Sequence, residues 1–122
     1  MFPFRIVYIS FHTIQACALA NFNWHLSDKR GYATAWREMT MDSPQWRLDR
    51  ITVNFIRHEL TDYDALVAEV LRGGEGQDGV DRLRHAVLVT IEETYPQLAG
   101  ECERQMRMVG HRVGSVMRTV GR

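Results

Sequence analysis

A chain of 122 residues, 45% hydrophobic and 25% charged, has the size and make-up of one folded domain and not of a disordered segment. Fifteen basic and fifteen acidic residues cancel, so no overall charge drives the protein to nucleic acid or to an anionic membrane. Two cysteines, Cys17 and Cys102, are too few for a disulfide framework or a thiolate zinc site, and no apolar run approaches the roughly 20 residues that span a bilayer.

These features point to a cytoplasmic protein. Lys29 is the only lysine. Such an arginine bias is the codon signature of a GC-rich genome, bacterial or phage.

The first 40 residues follow no clear period. β-Branched and aromatic residues crowd "FRIVYISFHTIQACALA", which reads as an N-terminal strand or hairpin. Two other readings compete. Arg5, the apolar stretch 6–19 and Ala18-Leu19-Ala20 imitate a weak signal peptide, although His12, Thr13 and Gln15 interrupt the apolar part. The codons for Trp36-Arg37-Glu38-Met39 can also spell a bacterial ribosome-binding sequence just upstream of Met41. That makes Met41 the expected start of the natural product and residues 1–40 a mis-assigned upstream translation. The chain therefore divides into an N-terminal segment, 1–40, and a helical domain, 41–122.

From Asp42 onward the local signals agree. Ser43 as N-cap and Pro44 at the first helical position open a helix in which Leu48, Ile51, Phe55 and Ile56 recur at helical spacing. Thr61 caps a second helix, with Asp64 in the capping-box place. Leu66, Val67, Val70 and Leu71 form its stripe, and Gly73-Gly74 stops it. "EGQDG", residues 75–79, reads as a loop. A third helix runs from about Gly79 with Val80, Leu83, Val87 and Ile91 on one face, and ends before Pro96. The fourth starts at Pro96 and runs toward residue 120. Leu98, Cys102, Met106, Val109, Val113, Val116, Met117 and Val120 share a ~100° arc of it.

The expected fold class is all-α, a small four-helix bundle over about residues 44–120. Gly110 and Gly114 would allow a second copy to approach the fourth helix. Cys102 belongs to the core, and Tyr63 and Tyr95 cover core edges at helix junctions.

Charge is unevenly spread. Residues 104–122 hold five arginines and no acid, a net +5, whereas residues 42–103 hold six arginines against 13 acids, a net −7. Arg104, Arg107, His111 and Arg118 fall within a ~60° arc opposite the apolar stripe of the fourth helix. They form the expected surface for a protein or other anionic partner, or for a second copy. Nucleic acid is the weaker choice, because no aromatic residue is interleaved with them and the rest of the domain is acidic.

The densest polar constellation is "RHELTDYD", residues 57–64, where His58, Glu59, Asp62 and Asp64 make a polar corner. Helical phase places Glu59 in line with Leu48, Thr52 and Phe55, and Arg84 beside Val80, Val87 and Ile91. A Glu59–Arg84 contact between the first and third helices is therefore expected. Asp81 and His85 form an i,i+4 pair. His58, Glu59 and His85 are the candidates for a divalent metal in the competing reading, a small metal-dependent enzyme. No H-E-x-x-H, G-x-S-x-G, P-loop or Rossmann glycine pattern occurs, so neither a catalytic residue nor a cofactor is assigned. The reading favoured is a small helical interaction or regulatory module.

Overall fold

The computed structural model describes residues 4–28 and 39–120, and every described element of length is a helix. An extended stretch, residues 4–10, leads into α1 (Phe11–Asp28). Then come α2 (Gln45–Phe55), a π-helical turn (Ile56–Leu60), α3 (Tyr63–Arg72), α4 (Gly76–Thr94), a 3-10 turn (Pro96–Leu98) and α5 (Ala99–Val120). Among the described residues that is five α-helices, one more than the periodicity announces. None is long and apolar enough to cross a membrane.

The strand or hairpin expected in residues 1–40 is corrected by α1. Ser10 opens that helix: its carbonyl accepts the Ile14 N–H, and its hydroxyl accepts the Thr13 N–H at 3.4 Å. Ile14, Gln15, Ala18 and Leu19 then turn inward. The periodicity was masked because Gln15 faces in while Ala16, Cys17, Ala20 and Trp24 face out. Only residues 4–10 keep an extended form, with a single isolated bridge between Ile6 and Thr61.

The core lies in two connected groups. The larger one gathers Ile14, Val53, Ile56, Leu83, Val87, Leu88, Ile91, Leu98 and Cys102, all with no exposed surface, together with Phe4, Tyr63, Val70 and Tyr95. The smaller one joins Ala18 and Leu19 of α1 to Met39, Leu48 and Ile51, with Phe22 and Phe55 packed on it. Asn23 of α1 pins the stretch that leads into α2: its side chain donates to the Met39 carbonyl and accepts the Met39 N–H, both at 2.9 Å.

Helix boundaries shift by small steps. Pro44 is the N-cap of α2 and Gln45 its first residue, while the Ser43 hydroxyl accepts the Thr40 N–H. No capping box forms at α3. Tyr63 donates its N–H to Thr61 Oγ1 at 3.2 Å, and Asp64 bonds elsewhere. "EGQDG" is not a loop beyond Glu75, because α4 begins at Gly76. Gly74, at φ +80°, makes the turn after α3. At Gly79 α4 packs tightly against α3, since a Cβ there would lie 2.5 Å from Val70 Cγ1.

Candidate functional site

α1 lies beside α2 and the π-helical turn, and between them runs a groove of about 570 Å³. Ala18, Phe22, Leu26, Ile51 and Phe55 give it an apolar floor. Asn21, His25, Arg50, Asn54, His58, Glu59 and Asp64 supply polar groups around that floor. Three of the four residues of the expected polar corner, His58, Glu59 and Asp64, therefore line one concavity. Asp62 does not. Its carboxylate turns to the N-terminal stretch and accepts the Arg5 N–H at 3.3 Å.

The π-helical turn decides which of these side chains face out. A wider turn makes the residues after Ile56 lag behind the regular helical phase. Arg57 consequently turns inward, 6% exposed, and Glu59 is exposed at the groove. The expected Glu59–Arg84 contact is not made, and Arg57 occupies the inward place that α-helical phase assigned to Glu59. Burial first, and the Arg84 charge second, hold the Arg57 guanidinium below its usual range. Nε of Arg57 and Nε of Arg84 are both buried without a protein hydrogen-bond partner. The Arg57 guanidinium also lies 5.6 Å from the ring centroid of Tyr63, whose hydroxyl burial pushes up.

Arg57 is the middle of a continuous polar chain. Its Nη1 donates to Gln105 Oε1 at 3.1 Å, and Gln105 Nε2 donates to Glu101 Oε2 at 2.9 Å. Arg104 closes on the Glu101 carboxylate through Nε and Nη2 at 2.6–3.1 Å. In the other direction Arg57 Nη2 lies 3.4 Å from His58 Nε2, and His58 Nδ1 lies 2.8 Å from Asp64 Oδ1. An arginine only donates, so the Arg57 contact matches the tautomer whose proton is on Nδ1 and faces Asp64. Both ring nitrogens of His58 are thus engaged. The chain Asp64–His58–Arg57–Gln105–Glu101–Arg104 links the groove to α5.

That chain changes the reading of the basic stripe. Arg104 is already taken by Glu101, which raises its pKa. Arg107 is exposed. The side chains of His111, Arg118 and the C-terminal part of the apolar stripe lie outside the described residues, as do the surroundings of Gly110 and Gly114. On α4, His85 is exposed and Asp81, 4% exposed, accepts a bond from Gln77 Nε2 at 2.9 Å. The expected Asp81–His85 pair does not form. Among the described residues no three His, Cys, Asp or Glu side chains converge on a point that would hold a metal ion, so His58, Glu59 and His85 are not brought together.

Sequence reasoning named His58, Glu59 and Asp64, but missed Arg57, Gln105 and Glu101. Buried polar residues on an apolar arc are the signal that finds them: Glu101 and Gln105 flank Cys102 and Met106 on α5. The groove was hidden by the missed α1. Comparison with protein-family models, curated proteins and solved structures finds no match to this chain.

Proposed function

We propose that this protein is a small helical interaction module that captures a segment of a protein partner in the groove between α1 and α2. The observation that carries the reading is the pairing of an apolar floor with polar groups in one open concavity. Floor and rim of that kind suit a segment that buries apolar side chains and hydrogen-bonds at its edges. The polar chain from Asp64 to Arg104 supports it too, because it holds His58 and Asp64 of the rim before any partner arrives and so lowers the ordering cost of binding. Arg107, exposed on α5, adds attraction for an acidic partner and mainly speeds its approach.

The metal-dependent enzyme gains no support from the side chains: His58 spends both nitrogens within the protein.

Selection of peptides from a displayed random library tests the proposal. Asn54 lines the groove on α2 and is only partly buried, so Asn54→Trp fills the groove without cutting the core. Enriched peptides are expected to share apolar anchors and to lose at least tenfold in affinity for Asn54→Trp. Peptides that bind both forms equally, or no enrichment at all, would overturn it.

A further inference from the structure

The stretch "FRIVYIS", residues 4–10, is strand-forming in composition and extended in the structure, yet the described residues offer it no sheet. Its hydrogen bonds alternate. Arg5 N–H goes to Asp62 Oδ1, Val7 N–H to the Leu60 carbonyl, and Ile9 N–H to the Tyr95 hydroxyl, which in turn donates to the Ile9 carbonyl. The backbone N–H groups of the odd residues therefore face the body of the protein. In an extended chain the N–H and C=O of Ile6 and Tyr8 then point the opposite way, along an edge that has no hydrogen-bond partner among the described residues. Val7 is 59% and Tyr8 73% exposed beside it. A β-prone edge with one charge and no proline is a template for a further strand.

We infer that this edge pairs with the same edge of a second copy of the chain, antiparallel across a two-fold axis. An antiparallel strand edge is complementary to itself: with Val7 on the axis, Ile6 of one copy faces Tyr8 of the other and each pair exchanges two backbone bonds. Charge disfavours the register centred on Arg5. With Val7 on the axis Arg5 faces Ile9 of the partner copy, whereas a register centred on Arg5 sets two guanidinium groups against each other. The contact uses none of the residues that line the groove. It is held by backbone bonds and not by ion pairs, so salt does not dissolve it.

Sedimentation of the full chain tests this, with circular dichroism as the control for folding. The wild type is expected to reach twice the monomer mass with rising concentration, equally at low and high salt. Tyr8→Ala keeps the backbone N–H and is expected to dimerise. Tyr8→Pro removes that outward N–H and is expected to remain monomeric with unchanged helicity. Val7→Cys in a Cys17→Ser background is expected to form a disulfide-linked dimer on mild oxidation, since facing residues on the axis stand within disulfide reach. A wild type that stays monomeric at every concentration overturns the inference, as does a Tyr8→Pro variant that dimerises like the wild type. A monomer that instead takes up a foreign strand-forming peptide at this edge also overturns it, by giving the edge a different occupant.

Discussion

Cys102 has no exposed surface, and burial followed by the carboxylates of Glu92, Glu101 and Glu103 pushes its thiol up to about 12. Cys17 stands on the outer face of α1 and is exposed. Thiolate is the reactive form, so the two cysteines separate cleanly in chemistry. One thiol per folded chain is expected to react quickly with a disulfide reagent at pH 8, and the second only on unfolding. Peptide mapping that finds Cys102 labelled in the native protein would contradict the packing. Its place was legible in the sequence, because Cys102 shares a helical arc with Leu98, Met106 and Val109. The fate of Glu59 was not. A single π-helical turn moves it from the inward face to the groove, and nothing in "NFIRHEL" announces that turn.

α5 and the π-helical turn meet through an amide and not a carboxylate: Gln105 is the partner that neutral packing supplies to a buried arginine. Removing one member of such a pair leaves the other unsatisfied, at about 1–3 kcal/mol and more where the survivor is charged. Gln105→Leu and Arg57→Met are each expected to lower stability by at least that amount. The double variant is expected to recover most of the loss, giving a coupling of roughly 1–3 kcal/mol in a denaturation cycle. Additive losses would show that the contact carries no coupling. Helices α2 to α5 were readable from their apolar periods and from Pro44, Gly73 and Pro96. α1 was not, because small apolar residues on its outer face blur the contrast on which a period depends.

The molecule as a whole rests on α1 more than its composition suggests. Ile14 enters the main core with no exposed surface, and Leu19 and Ala18 cover Leu48 and Ile51. Burial of Ile14 and Leu19 contributes about 3–6 kcal/mol together, a large share of the 5–15 kcal/mol typical of a domain. A chain beginning at Met41 is expected to keep part of its helical dichroism but to melt at lower temperature and to bind a hydrophobic dye. An unchanged melting temperature would show that α1 is dispensable. The groove disappears from such a chain as well, since α1 forms one of its walls. Charge is likewise a property of the whole: the −7 of residues 42–103 and the +5 of residues 104–122 are of opposite sign, so a contact made through the tail is expected to weaken with salt, whereas the proposed backbone pairing is not.

The hydroxyl of Tyr95 holds Ile9 from both sides across a sequence separation of 86 residues. A ribosome adding about 5–20 residues per second delivers the stretch before α1 roughly 4–17 seconds ahead of its anchor. Until Tyr95 is made, Leu60 and Asp62 are what hold Val7 and Arg5 of this stretch by hydrogen bonds, so the Ile9 end is the last part of it to be fixed.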